Sequence, residues 1–322
     1  MKLEAKDILY RTLAILYRYA EEVAVLEYPR SMERRSIDLA VRLPGGKRLL
    51  VKVARDAAEI PKSEIQELIF LASVLDSAPI MIARDKDGVE LVEGVAYEKS
   101  GVKVISPETL EGLLSGREPV YVFESRGSYK VRVNPVKLRE KRLEKGFSLG
   151  DLAAALNTSR KAVYDYERGK LDPSIDRAEK LIKILGEEVV APCDVFEATN
   201  LPEPKLLKPF DTKLEEETAS RLVEAGFRVV HVKRTAIDIG GSINDAKVVF
   251  TVQGKRESVK TLYEKSVYMS KMADVLNIND KAVVVDDART ARELEKEDVT
   301  VITSNELAEF VKRLTKSNRE QL

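Results

Sequence analysis

Tryptophan is missing from this sequence of 322 residues, and cysteine and histidine occur once each. One cysteine excludes a disulfide within the chain. A single Cys and a single His also exclude a zinc site built from those two ligand types. Cys193 and His231 lie far apart, so a Cys–His nucleophile pair would require the fold to join them; packing or surface is the plainer role for each. No apolar run approaches the length of a membrane span. The N-terminus, MKLEAKDILYRTLAILYRYAEEV, is charged and amphipathic and lacks the apolar centre of a signal peptide. The expectation is a cytoplasmic protein. Net charge is lacking as well, because 54 Lys+Arg meet 54 Asp+Glu, and no global field steers the chain toward polyanions. Nothing calls for a cofactor or a resident metal: Pro44-Gly-Gly46 and Gly240-Gly241 read as turns, since neither joins a strand to a helix with Lys-Ser/Thr following.

What is present is apolar residue enough for packed cores (44%) and a high charged fraction (34%), above the usual quarter and of a kind common in thermophiles. The length suggests two or three domains. Charge is unevenly spread. Tyr121–Lys170 holds 12 Lys+Arg against 6 Asp+Glu, a local +6 on a neutral chain, which concentrates the positive field on one module.

That module centres on Phe147–Gly169, FSLGDLAAALNTSRKAVYDYERG. Ser148 with Asp151 three residues on is a capping box that opens a helix. Leu152, Ala153 and Leu156 mark its inner face. Asn157-Thr158 breaks it, and Thr158 or Ser159 caps the next helix, whose inward positions are Ala162, Val163 and Tyr166. Two short helices crossing at small residues are the build of a helix-turn-helix. The outward side of the second helix carries Ser159, Arg160, Lys161, Tyr164 and Asp165, where a recognition helix meets base edges. A helical hairpin used for protein contacts is the plainer alternative.

Leu138-Arg139, Arg142, Gly146, Ser148, Leu152-Ala153, Ser159-Arg160, Val163 and Tyr166-Glu-Arg-Gly169 together resemble the Cro and lambda-repressor type (XRE) helix-turn-helix. Asp172-Pro173 and the helix Ile175–Leu185 complete the pattern. The whole chain also resembles the archaeal group of HTH-type transcriptional regulators. The resemblance implies an ion pair between Arg142 and Glu167, base contacts from Arg160, Lys161 and Asp165, and phosphate contacts near Ser148 and Ser159. Thr158, Tyr164 and Lys170 join this DNA-binding set. The family often has Gln where Leu149 stands, and Leu149 cannot hydrogen-bond DNA. The implied partner is double-stranded DNA, met by a homodimer in the cytoplasm at the nucleoid. The sequence names no small-molecule effector.

Around this module the pattern is α/β. Residues 3–20 read as a helix, Val23–Tyr28 as a strand, Ser36–Leu43 and Lys47–Ala54 as strands about Pro44-Gly-Gly46, Ser63–Leu75 as a helix, Pro79–Ala83 and Gly101–Ile105 as strands, and Pro107–Leu114 as a helix. Pro119–Phe123 and Tyr129–Val133 read as a hairpin, with Arg126, Lys130 and Arg132 as a DNA-touching wing or the whole as a spacer. Residues 191–211, with Pro192, Pro202, Pro204 and Pro209, read as an extended linker. The end of the chain repeats its beginning: Leu214–Ala225 helix, Phe227–Val232 strand, Ala236–Ile239 (AIDI) answering Ser36–Leu39 (SIDL), Lys247–Val252, the helix Ser258–Leu276, Ala282–Val285, and Val299–Ile302 with Ser304–Leu314. The expected fold class is therefore multidomain α/β plus all-α. A five-helix-type domain (134–190) follows a connector (118–133) and is flanked by two related three-layer α/β domains (1–117 and 212–322).

An Asp strand, a turn and a strand ending in Lys, then a helix, resemble the restriction-endonuclease-like fold of Holliday-junction resolvases and PD-(D/E)XK nucleases. That chemistry needs Asp, then Glu or Asp two residues before Lys, to hold a divalent metal and steady the attacking water. Asp38 and Lys52 are in place, but Leu50 replaces the second carboxylate. In the repeat, Asp238 is kept while Val249 and Thr251 replace acid and Lys. Glu33 or Glu64 could supply the acid by migration, which keeps a metal-dependent nuclease as the alternative function. The favoured reading is a non-catalytic module, with Asp38 a strand-end polar residue and Lys52 pointing to solvent or to phosphate. Asp286-Asp287 and Glu293–Asp298 read as solvated surface. Met269 and Met272, with Tyr263 and Tyr268, read as core or interface.

Overall fold

Ile8, Leu9, Thr12, Ile15 and Leu16 recur at three- and four-residue spacing and form the buried side of the first helix, α1 (Ala5–Tyr19). The structure is a computed structural model describing residues 5–125, 127–197, 201, 203, 206, 209–295 and 300–319. It divides into two units. One draws on the chain up to Ala54, Glu59–Met81 and Phe196 onward; the other comprises Arg55–Ala58 and Ile82–Val195.

In the first unit, α1 is followed by the antiparallel strands β1 (Glu22–Val25), β2 (Leu39–Arg42) and β3 (Arg48–Asp56), with Ala24 opposite Ala40 and Ala40 opposite Leu50. The helix α2 (Lys62–Leu75) is buried on nearly every side, and β4 (Ala78–Lys86) follows it. In the second unit, β5 (Val89–Glu90) pairs with the end of β4. The strands β6 (Val95–Lys99) and β7 (Val102–Ile105) form a hairpin about Ser100-Gly101, both at positive φ, the geometry that a two-residue hairpin turn demands. The helix α3 (Pro107–Leu114) is capped by Ser106, with Pro107 in its first turn. Strand β8 (Val122–Ser125) then runs parallel to β6, and β9 (Ser128–Val131) returns antiparallel to β8.

Four helices complete that unit: α4 (Pro135–Glu144), α5 (Leu149–Ala155), α6 (Arg160–Tyr166) and α7 (Ile175–Leu185). A short 3₁₀ turn, Glu187–Val189, closes the domain, so among the described residues it has four α-helices where five are expected, a single 3₁₀ turn taking the place of the fifth. The β8–β9 hairpin is spliced onto it. Val131 N–H donates to Pro173 O (3.0 Å), Val133 N–H to Asp172 Oδ1 (3.1 Å) and Asn134 N–H to Val189 O (2.8 Å).

The first unit is completed by α8 (Lys213–Glu224), β10 (Arg228–His231), β11 (Ile239–Ile243), β12 (Ala246–Val252), α9 (Val259–Val275), β13 (Asp280–Val285), α10 (Ala288–Glu295), β14 (Val301–Thr303) and α11 (Leu307–Arg319). The strands of this second stretch form a sheet of their own in the order β10-β11-β12-β13-β14, with β12, β13 and β14 parallel. Leu222, Phe227, Phe250, Val284 and Phe310 fill the core between sheet and helices.

Within this unit the two stretches exchange helices. The helix α2 packs on β10 and β11, while α9 packs on β1 and β2. Gly240 is required at the first crossing: a Cβ there would stand 2.9 Å from Leu71 Cδ1 and 3.3 Å from Val74 Cγ2. Glu67, almost fully buried on α2, accepts from Ser36 Oγ (2.5 Å), Arg234 N (3.0 Å) and Arg234 Nη1 (2.8 Å). The exchange is repeated at the helix ends. Arg42 Nη1 donates to Asn277 Oδ1 just past α9, and Lys247 Nζ lies 3.7 Å from Asp76 Oδ2 just past α2.

Several elements differ from expectation. Only the last residue of the SIDL and AIDI segments is strand, since β2 starts at Leu39 and β11 at Ile239. The hairpin expected from Pro119 to Val133 is tighter, with strands running to Ser125 and resuming at Ser128. Strand β6 was not expected, nor was α10. Asp286-Asp287 is exposed, as expected, and Asp287 in addition accepts from the N–H groups of Arg289 and Thr290 and so caps α10. Met269 and Met272 are core. Arg126, Pro202, Pro204 and the stretch 296–299 lie outside the described residues.

Candidate nucleic-acid interface

The helical domain is built around Leu138, Leu152, Leu156, Val163, Tyr166 and Leu181, all buried. Ser148 opens α5 with a reciprocal cap: its Oγ accepts from Asp151 N (3.1 Å), and Asp151 Oδ2 accepts from Ser148 N (3.0 Å). These bonds hold the Asp151 carboxyl below its usual range, and the nearby charge of Arg160 adds to the effect. Asn157 takes positive φ and turns the chain. Ser159, not Thr158, is the cap of α6, its Oγ accepting from Ala162 N (3.1 Å). Arg142 on α4 grips Glu167 just past α6 at two points and donates its third arm to Phe147 O (2.8 Å).

With the inward positions occupied, the start of α6 and its flank present Ser159, Arg160, Lys161 and Tyr164 to solvent, with Ser148 and Lys170 also exposed. Thr158 and Asp165 are half-buried. Two features escaped the sequence reading. Arg168 Nη1 donates to Tyr164 Oη (2.8 Å) and its guanidinium lies 5.5 Å from that ring, an i,i+4 pair that orders both side chains. The Arg160 side chain lies across Gly150 of α5. On the connecting hairpin, Arg132 is paired with Asp172 (3.2 Å) and stacks over Phe123, and Lys130 is half-buried.

The nuclease-like residues are arranged otherwise. Asp38 is fully buried, with Oδ2 accepting from Val53 N (2.8 Å). Lys52 is 2% exposed, so the expectation that it points to solvent or phosphate is wrong. Its ammonium donates to Met32 O (3.0 Å) and Arg35 O (2.7 Å) and lies 3.3 Å from Asp38 Oδ2 and 4.0 Å from Glu64 Oε2. Asp38 stands at the end of its strand, immediately before Leu39, as expected, and is in addition the partner of Lys52 in a buried ion pair. Glu64 has moved into the place of the missing acid, whereas Glu33 is exposed on the Met32–Arg34 turn. Burial raises the carboxyls of both Asp38 and Glu64. The Lys52 ammonium lies within 4.0 Å of both carboxylates and Leu50 offers no oxygen, while Asp38 Oδ1 and Glu64 Oε2 are buried without a hydrogen-bond partner.

The repeat has its own version. Asp238 Oδ2 accepts from Val252 N (2.7 Å), as Asp38 does from Val53. Thr251 turns its hydroxyl to Ala236 O (2.7 Å), and Lys265, from α9, supplies the cation at 2.8 Å from Asp238 Oδ2. Burial pushes the Asp238 carboxyl up to about 6. Lys265 was not foreseen as the partner of Asp238.

Residues 5–120 match the PD-(D/E)XK superfamily domain, and residues 138–190 match the helix-turn-helix family. A protein of Aeropyrum pernix named "Putative HTH-type transcriptional regulatory protein" is 40% identical over 99% of this chain and 97% of its own length. Relatives of the same name from Sulfurisphaera tokodaii and Sulfolobus acidocaldarius are 31% and 32% identical, each over 92% of this chain and 96% of their own. The chain belongs to this family of archaeal HTH-type regulatory proteins. No solved structure matches it. Among the described residues, no helix of this HTH-type protein is long and apolar enough to cross a membrane.

Proposed function

We propose that the protein is a sequence-specific, double-stranded DNA-binding transcriptional regulator acting as a homodimer at the nucleoid. The segment Ser159–Arg168 enters the major groove. Arg160 and Lys161 donate to purine edges, Tyr164 packs against a thymine methyl or the backbone, and Asp165 accepts from a base amino group. Ser148, Thr158, Ser159 and Lys170 lie toward phosphates. Two such helices, roughly one DNA turn apart in a dimer, give the affinity that one short helix lacks.

The observation that carries this reading is the polar, cationic start of α6, exposed on a helical domain whose inward positions are all occupied. The names of the relatives support it. The flanking α/β modules, 1–117 and 212–322, act as holders and not as cutters: Lys52 spends its donors on two carbonyls and Asp38, and neither side chain reaches solvent. Mapping the genomic sites occupied by the intact protein tests the proposal. A shared sequence motif near gene starts is expected, and occupancy without any common motif would contradict it.

A further inference from the structure

A Cβ built on Gly150 would stand 2.7 Å from Arg160 Nε, 2.9 Å from Nη2 and 3.1 Å from Cζ. The guanidinium therefore lies flat against the second residue of α5, in space that any other side chain would occupy. Asp151 is next to this seat, close enough for its carboxyl to feel the Arg160 charge. Leu149, the first residue of α5, brings no polar side-chain atom to the same turn. In a helix-turn-helix the second helix sits in the groove while the first crosses the sugar-phosphate backbone. A cation drawn back from α6 onto α5 faces that backbone instead of base edges.

We infer that Arg160 is a phosphate clamp rather than a base reader, and that Gly150 is the positioning residue that makes it one. The inference rests on the DNA-binding reading above and changes the role of one residue in it. Base discrimination then falls to Lys161, Tyr164 and Asp165, farther along α6. Any larger residue at 150 moves the guanidinium, which is flexible and yields at little cost to the fold; alanine is also the better helix former.

The test measures affinity against salt concentration for the intact protein and three variants, Arg160→Ala, Arg160→Lys and Gly150→Ala. Two duplexes are used, one selected by the wild type from a random-sequence pool and one unrelated. Arg160→Ala is expected to weaken both by a similar factor, roughly three- to tenfold, and to reduce the slope of log K against log salt by about 1. Arg160→Lys should restore most of this, because a phosphate accepts a point charge where a bidentate base contact does not. Gly150→Ala, which displaces the guanidinium but keeps its charge, should weaken both duplexes alike by a smaller factor than Arg160→Ala, with no loss of melting temperature. Relaxed preference at one base position in Arg160→Ala, with an unchanged slope and no rescue by lysine, would overturn the clamp. Wild-type behaviour in Gly150→Ala would overturn the part assigned to the glycine. Failure of the wild type itself to retain any duplex would remove the DNA-binding reading, and that result appears before any variant is compared.

Discussion

Arg142 and Glu167 are joined at two points, Nε to Oε1 at 2.5 Å and Nη2 to Oε2 at 3.1 Å, with both side chains more than nine-tenths buried. This pair fastens the end of the recognition helix to the first helix of its domain. It also ties both to the loop before α5, because the third arm of Arg142 holds Phe147 O. Removing the acid would strand a buried guanidinium. Glu167→Ala is expected to destabilise the helical domain by about 3–5 kcal/mol, read by thermal denaturation. A loss under about 1 kcal/mol would mean that solvent reaches the pair.

The helical domain was legible because its signals are local. The Ser148–Asp151 cap and the spacing of Leu152, Leu156, Val163 and Tyr166 lie within twenty residues of one another, and even Arg142–Glu167 follows a known spacing. The α/β elements were legible as types, but their partners were not. Asp238 and Lys265 meet only once α9 folds over its sheet, and Glu67 finds Arg234 across 167 residues of chain. Strand β6 is hidden in the sequence because its hairpin turn, Ser100-Gly101, carries no Asn-Gly or Asp-Gly signal. The helix α10 was overlooked because its charged side, Arg289, Arg292 and Glu293, hid the buried Thr290, Ala291 and Leu294.

Lys265 and Asp238 form a buried pair with Glu257 3.8 Å from the ammonium. Lys265→Met alone should cost about 3–5 kcal/mol by leaving the carboxylate unpaired, whereas Lys265→Met with Asp238→Leu should recover most of that loss. Denaturant unfolding of the two variants separates the cases. Additive losses would show that the residues do not depend on each other.

Lys52 lies within 4.0 Å of both Asp38 and Glu64, and its loss should act on stability and not on chemistry. Lys52→Met is expected to lower the melting temperature while the wild type leaves duplex and four-way junction DNA uncut in magnesium or manganese. Metal-dependent cutting by the wild type, abolished in Asp38→Ala, would show instead that the module is an enzyme.

Glu215 accepts from the N–H groups of Asp211 (2.6 Å) and Thr212 (3.1 Å), and His231 Nε2 lies 3.5 Å away. Burial pushes its carboxyl up, but His231 and the two N–H groups outweigh that and hold it below the usual 4.5. A carboxyl lowered by folding stabilises fully above its unfolded value, and that contribution fades as pH falls through the folded one. The melting temperatures of wild type and Glu215→Gln should therefore differ most near neutrality and converge as acidification carries the pH below the usual carboxylate range. A gap independent of pH would contradict this.

Selection of bound sequences from a random duplex pool, run in parallel for the wild type and Lys161→Ala, bears on the recognition helix most directly. The wild type should enrich one motif. Lys161→Ala should lose preference at a single base position by about 1–3 kcal/mol while keeping the rest. Identical enrichment by both proteins, or no motif from either, would show that this helix does not read DNA sequence.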